Sequence, residues 1–367
     1  MFVNGRNYQS IWADDDDPGV VSVIDQRKLP FSFEIKKLRT SEDVYNAIGN
    51  MTVRGAPLIG AAGAFGIYLA ALEAAGDKDP YEHIESSARR LISCRPTAVN
   101  LAWAVNYTLG KLGRKKEAFA VNALRAAREV CKNEMENCKK IGNNGLPLIR
   151  AAAKKKKGMA VNVLTHCNAG WLACIDFGTV LSPVYFAHDE GLPVHVWVDE
   201  TRPRNQGAML TAWELENAGV PYTLISDNTG GHLMQHGMVD MVIVGCDRAS
   251  CSGDVANKIG TYLKALAAFD NKVAFYSAFP SSSFDFGISN GIKDIAVEER
   301  DPEEVRTVTG INDGKVLTVR ICPEKSPAAN FGFDVTPARL ITGLITERGI
   351  CRPLEKDIKE MFSDKFI

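Results

Sequence analysis

From about residue 159 onward the chain repeats one pattern. Short apolar runs rich in β-branched residues occur at 161–164, 194–198, 222–225, 241–244 and 273–276. Helical patterns of crossover length separate most of them. Each run is too short for a globular helix and reads as a strand buried on both faces. Strands alternating with helices form βαβ units, so this half of the chain predicts an α/β fold around a parallel sheet. In such a sheet the strand ends face one edge, and ligands bind in the crevice beyond them. No GxGxxG follows any of the strands, so no dinucleotide is expected as a cofactor.

Polar residues follow the expected strands. Thr165-His166-Cys167-Asn168-Ala169-Gly170 comes after the first, and Asp199-Glu200-Thr201-Arg202, then Gln206-Gly207, after the second. Asp227-Asn228 follows the third and Asp247 the fourth. Each has a plain structural reading as well: a buried thiol, a helix cap, an ion pair at the sheet edge. Their combination at one edge makes them candidates for chemistry. His166 abuts Cys167, but neighbours on an extended strand point to opposite faces, so no Cys-His pair is implied. After Asp247 a small polar turn at 250–254 leads into a helical pattern, with apolar residues at Val255, Ile259, Tyr262, Leu263 and Leu266. That reading places Asn257 and Lys258 in a first helical turn, where free N–H groups and the helix dipole favour an anion.

The first 150 residues read differently. Runs at 20–24 and 31–35 look like strands. Thr40 and Asp43 form a capping-box pattern at the start of a helix. In Arg54-Gly55-Ala56-Pro57 the proline suits a first helical turn. The segment reads either as an anion cradle, with the backbone N–H groups of Gly55 and Ala56 beside Arg54, or as a Gly-rich turn into a core helix. Arg95-Pro96-Thr97 repeats a basic residue before a helix start. Helical patterns continue at 81–93, 97–109 and 117–140, and the last expected helix runs from a cap at 334–337 through 346. The Gly142-Asn143-Asn144-Gly145 segment and the lysines at 154–157 bracket the expected boundary between domains 1–150 and 151–367.

With 367 residues the chain exceeds a single ordinary core, which supports two domains. A net charge of −1 offers no nucleic acid or acidic membrane an electrostatic footprint. No basic-then-apolar leader pattern is present, and no apolar run is expected to approach membrane length. Nine cysteines without a C-x-x-C pair or metal-ligand spacing point to reduced thiols, a cytoplasmic compartment and no metal.

Several segments together carry a family resemblance. They are RGAPLIG at 54–60, RPTAVNL at 95–101, THCNAG at 165–170, DETRPRNQGAMLTAWEL at 199–215, DNTGGHLM at 227–234, GCDR at 245–248, GDVANKIGTY at 253–262 and FDVTPARLITGLITERG at 333–349. The chain thus resembles the 5-methylthioribose-1-phosphate isomerases, which group with the regulatory subunits of translation initiation factor 2B. The resemblance implies an N-terminal strand and helical-bundle domain, a Rossmann-like C-terminal domain and a homodimer acting on a sugar phosphate with no cofactor. It implies catalytic roles for Cys167 and Asp247. It implies substrate binding by Arg54, Gly55, Ala56, Arg95, Gln206, Asn257 and Lys258. A branch that also accepts 5-deoxyribose 1-phosphate is compatible with Trp171 and the wording around 195–208. Ribose-1,5-bisphosphate isomerisation, or a non-catalytic subunit that binds a sugar phosphate or nucleotide, are the alternatives.

Overall fold

The computed structural model describes residues 1–95 and 99–366. Six parallel strands and one antiparallel edge strand make its central sheet. Across it run Tyr222–Ile225, Val194–Asp199, Val161–Thr165, Met241–Val244, Ala274–Ala278 and Gly343–Thr346, then Gly349–Cys351 antiparallel. Counted along the chain, the parallel strands lie in the order third, second, first, fourth, fifth, sixth. The order reverses between Val161–Thr165 and Met241–Val244, and the crevice at such a reversal is the binding position of doubly wound folds. All five expected runs fall on strands. All four residues of Met241–Val244 are buried, which accounts for a continuous apolar run without alternation.

Three expected elements are different. Residues 334–346 form not a helix but the strand Phe333–Thr336, a short 3₁₀ turn at Ala338–Leu340 and the strand Gly343–Thr346. A continuous apolar strand buried on both faces cannot be told from a buried helix by periodicity alone. Asn257 and Lys258 likewise lie not in a first helical turn but on the strand Val255–Lys258. That strand pairs antiparallel with Arg248–Ser250 on one side and Phe333–Thr336 on the other. The helix begins only at Thr261–Asp270, because Gly260, at φ +101°, breaks the chain between strand and helix. Near the N-terminus the strand expected at 31–35 is displaced to Ile35–Leu38. Hydrogen bonds from Lys28 N to Asp25 O and from Ser32 N to Lys28 O commit the preceding residues to turns.

The N-terminal part is a three-stranded sheet, Ile11–Ala13, Val21–Ile24 and Ile35–Leu38, followed by helices. Thr40 and Asp43 close the expected capping box on Ser41–Gly49. Ala56–Glu73 is the bundle's central helix. It is long and apolar enough to cross a bilayer, against the expectation of no such run, but every residue from 56 to 71 is buried in the molecule. Pro80–Ser93 and Val99–Lys111 pack on it. Pro96 and Thr97 of the expected helix start lie outside the described residues.

Phe119–Lys156 is one 38-residue helix. It runs through the Gly142–Gly145 segment and Pro147, so the expected division at 150 falls inside it. The close approach of Leu181–Asp189 calls for a glycine at 142, because a Cβ there would come within 2.5 Å of the Phe186 ring. The lysine run forms the exposed helix end, closed by Lys157 in a left-handed conformation.

Candidate active site

The first and fourth strands end on either side of the reversal, and each releases one candidate catalytic residue. Cys167 follows Val161–Thr165 and adopts φ +68°, out of the extended conformation of the strand. Asp247 follows Met241–Val244. Both line one cavity. Arg54, Gly55, Ala56, Arg95, Gln206, Asn257 and Lys258 line it too. The structure therefore brings together all nine residues to which the family resemblance assigns a role, whereas Asp199, Glu200, Arg202, Asp227 and Asn228, other polar residues beyond the expected strands, do not line this cavity.

The N-terminal half supplies one wall. Gly55 precedes Ala56–Glu73 at φ +95°, a conformation open to glycine, and a Cβ there would lie 2.5 Å from the Ala173 carbonyl oxygen. No side chain caps this helix and its first turn holds no acidic residue, so its end retains its partial positive charge. Buried Arg54 stands beside it, and Arg95 reaches the same space. Arg95 Nε donates to Glu298 Oε2 at 3.2 Å, and its Nη1 lies 3.1 Å from the Met51 sulfur.

The opposite wall is the small sheet that contains Val255–Lys258. Lys258 is buried, with its ammonium 4.8 Å from the centroid of the Phe333 ring. Burial pushes its pKa down, while Cys167 and Asp247 act to raise it. Asn257 donates through Nδ2 to Thr261 Oγ1 at 2.9 Å. Gln206 is buried, and neither atom of its amide group has a partner within the protein. A side chain left in that state against a cavity matches a ligand that supplies both a donor and an acceptor.

Asp247 has the electrostatics of an acid. Burial pushes its carboxyl above the usual carboxylate value, and Glu298 adds to the effect. Lys258, Arg95 and Arg54 pull in the opposite direction without cancelling it. Next to it, burial holds the Cys246 thiol well above its ordinary value, so that sulfur stays protonated. The resulting arrangement is a cationic cradle, a carboxyl whose pKa is raised by burial, and a thiol on one small cavity.

Beneath Cys167 lies a second polar cluster. His166 Nε2 donates to the Ile259 carbonyl at 2.8 Å, and Nδ1 meets Asp199 Oδ2 at 2.8 Å. His166, Asp199 and Asp227 are the one trio with metal-ligand proximity among the described residues. The Lys264 ammonium already sits 3.1 Å from Asp199 Oδ2 and donates to the Asp227 carbonyl, supplying the positive charge from within the chain.

Sequence reasoning passed over several supporting residues. Glu214, on Ala212–Asn217, accepts from Asn168 Nδ2 (2.8 Å), Trp171 N (2.9 Å), Leu172 N (3.1 Å) and the Tyr185 hydroxyl (2.9 Å). It anchors the loop that carries Cys167. A charged residue within an otherwise apolar helical face was the available signal. Trp171, singled out as bearing on substrate choice, is fully buried beside Trp213 with Leu172 and Leu210, and is not among the residues lining the cavity.

With this geometry in view, comparison with known proteins is informative. Residues 52–353 match the Initiation factor 2 subunit family. The chain is 55% identical to methylthioribose-1-phosphate isomerase of Desulfatibacillum aliphaticivorans, over the whole of both chains. It is 52% identical to the enzyme of that name from Gluconobacter oxydans, over all of this chain and 99% of the other. Among solved structures it resembles 5-methylthioribose 1-phosphate isomerase from Pyrococcus horikoshii, with a TM-score of 0.82 and 37% identity over 98% of this chain and 97% of that one. The delta subunit of translation initiation factor eIF-2B from A. fulgidus is also similar, with a TM-score of 0.78 and 37% identity over 97% of this chain and all of that one.

Proposed function

From its membership of the Initiation factor 2 subunit family, and from the cavity described above, we infer that the chain is a methylthioribose-1-phosphate isomerase. It converts 5-methylthioribose 1-phosphate into 5-methylthioribulose 1-phosphate, a step of methionine salvage. The observation that carries this reading is the meeting of Cys167 and Asp247 on one cavity with Arg54, Arg95 and Lys258.

The chemistry calls for these groups. The anomeric oxygen of the substrate is esterified, so the ring cannot open as a free hemiacetal does. Asp247, whose pKa burial raises, gives its proton to the ring oxygen as the bond from C1 to that oxygen breaks. Hydrogen then moves from C2 to C1, and the C2 hydroxyl loses its proton as the ketone forms. Cys167 serves this step in one of two ways: it carries the C2 proton to C1, or it stabilises charge while hydride shifts directly. In the first path the thiol has the Lys258 ammonium as an electrostatic neighbour. Arg54, Arg95, Lys258 and the first N–H groups of Ala56–Glu73 hold the phosphate, whose charge they complement. Gln206 and Asn257 meet the sugar hydroxyls.

The test is incubation of purified protein with 5-methylthioribose 1-phosphate in deuterated water. A ketose product supports the reading, and no ketose from this sugar or its 5-deoxy analogue contradicts it. Deuterium at C1 of the product selects the proton path. The same reading carries a homodimer in a cytoplasmic, reducing compartment. Sedimentation that reports only a monomer would remove the dimer.

A further inference from the structure

We propose that Thr201 and Thr211 are positioning residues whose hydroxyls hold the Cys167 backbone in its left-handed conformation and so set where the thiol meets the substrate. The proposal rests on the reading of Cys167 as catalytic.

Cys167, at φ +68°, is held at both of its main-chain polar groups by side chains. Its N–H donates to Thr201 Oγ1 at 2.8 Å, and its carbonyl accepts from the Thr211 hydroxyl at 2.7 Å. Both threonines are fully buried. Neither hydroxyl has freedom to turn away. Thr201 Oγ1 spends its own hydrogen on the Asp199 carbonyl at 3.0 Å, and Thr211 Oγ1 accepts from Asn168 Nδ2 at 3.2 Å.

Thr201 is itself at φ +64°, an unusual conformation for a β-branched residue. Asp227 fixes it there, its two carboxylate oxygens accepting from the N–H groups of Thr201 and Arg202, both at 2.7 Å. The ends of the third, second and first strands are thus linked in series, from Asp227 through Thr201 to Cys167. Thr211 closes the chain from the other side. It ends the wide π turn Gly207–Thr211, which starts directly after Gln206. Left-handed non-glycine residues persist where their surroundings over-determine them, and such strain collects at functional sites. π turns do the same. Here both devices converge on one cysteine.

Valine is nearly isosteric with threonine and lacks only the hydroxyl, while serine keeps it. The experiment measures kcat and KM for ketose formation by T201V, T211V, T201S and T211S, beside C167A. The valine variants are expected to lose roughly 10- to 100-fold in kcat, the scale of a misplaced reacting group. Their KM stays within about twofold, and the serine variants recover most of kcat. The proposal is overturned if the valine variants keep the parental kcat, or if serine falls as far as valine. If one valine variant fails to fold, the other pair carries the test. An active C167A removes the premise itself; an inactive C167A beside unimpaired valine variants removes the positioning role alone.

Discussion

Arg54 donates to Asn168 twice, from Nη1 to the side-chain Oδ1 at 2.5 Å and from Nη2 to the main-chain carbonyl at 2.6 Å. One residue leads into the central helix Ala56–Glu73 and the other follows Cys167 at the sheet edge. The pair therefore joins the two halves beside the proposed phosphate cradle. Guanidinium geometry makes this possible, because a planar fork reaches two acceptors and keeps further donors for an anion.

Arg54→Lys keeps the charge and loses the fork. KM for the sugar phosphate should rise by roughly tenfold or more, and kcat should fall as the Cys167 loop loosens. Steady-state kinetics at constant ionic strength checks this. A variant with unchanged KM would show that Arg54 has no part in binding.

Glu214 should behave as a structural post. Its carboxylate serves four donors with no exposure to water. Glu214→Ala leaves those donors unpaired, at about 1–3 kcal/mol for each buried group. Urea unfolding should report a loss of several kcal/mol. Gly170→Ala should do similar damage, since a Cβ at that position would overlap the Glu214 carboxylate. A loss within experimental error for both variants would contradict the assignment.

Asp247 sets the direction of a pH effect. Its carboxyl is raised by burial, with Lys258 the largest opposing influence. An acid catalyst works while protonated, so kcat/KM should fall on the alkaline side as the carboxyl ionises. Lys258→Met removes the main charge favouring the ionised form. The alkaline limb of the residual activity should then move to higher pH, and movement to lower pH would contradict the account.

Glu134 offers a test on stability. It is buried on Phe119–Lys156, accepts from the Ser282 hydroxyl at 3.0 Å, and leaves Oε2 without a partner. Burial pushes its carboxyl up to about 7. The folded protein therefore holds this proton more tightly than the unfolded chain does. Its contribution is complete below the unfolded value, near 4.5, and is lost as pH rises through about 7. The loss is on the order of 3 kcal/mol. Glu134→Gln cannot ionise, so its Tm at pH 8 relative to pH 5 should fall less than that of the parent. An identical pH dependence in both would contradict this.

The parallel sheet could be read in advance because strands buried on both faces carry uninterrupted β-branched runs, as Met241–Val244 does. The sheet placed Cys167 and Asp247 at one edge, since residues after successive strands face it, while their roles and those of Arg54, Gly55, Ala56, Arg95, Gln206, Asn257 and Lys258 came from the family resemblance. What escaped were features that leave no periodic trace. Val255, Ile259 and Tyr262 fit a helical period, although Gly260 separates a strand from a helix between them. Pro337 and Gly343 punctuated the supposed last helix in the same manner. Thr201 and Thr211 matter through hydroxyl bonds to main-chain atoms distant in sequence, which no local pattern encodes.

The decisive measurement is binding and turnover of 5-methylthioribose 1-phosphate by C167S and D247N. Calorimetry should show both variants binding the sugar phosphate within a few-fold of the parent, because the cationic cradle is untouched. Ketose formation should fall by roughly 100-fold or more in each. Near-parental turnover by either variant would contradict the pairing of thiol and acid on which the account rests.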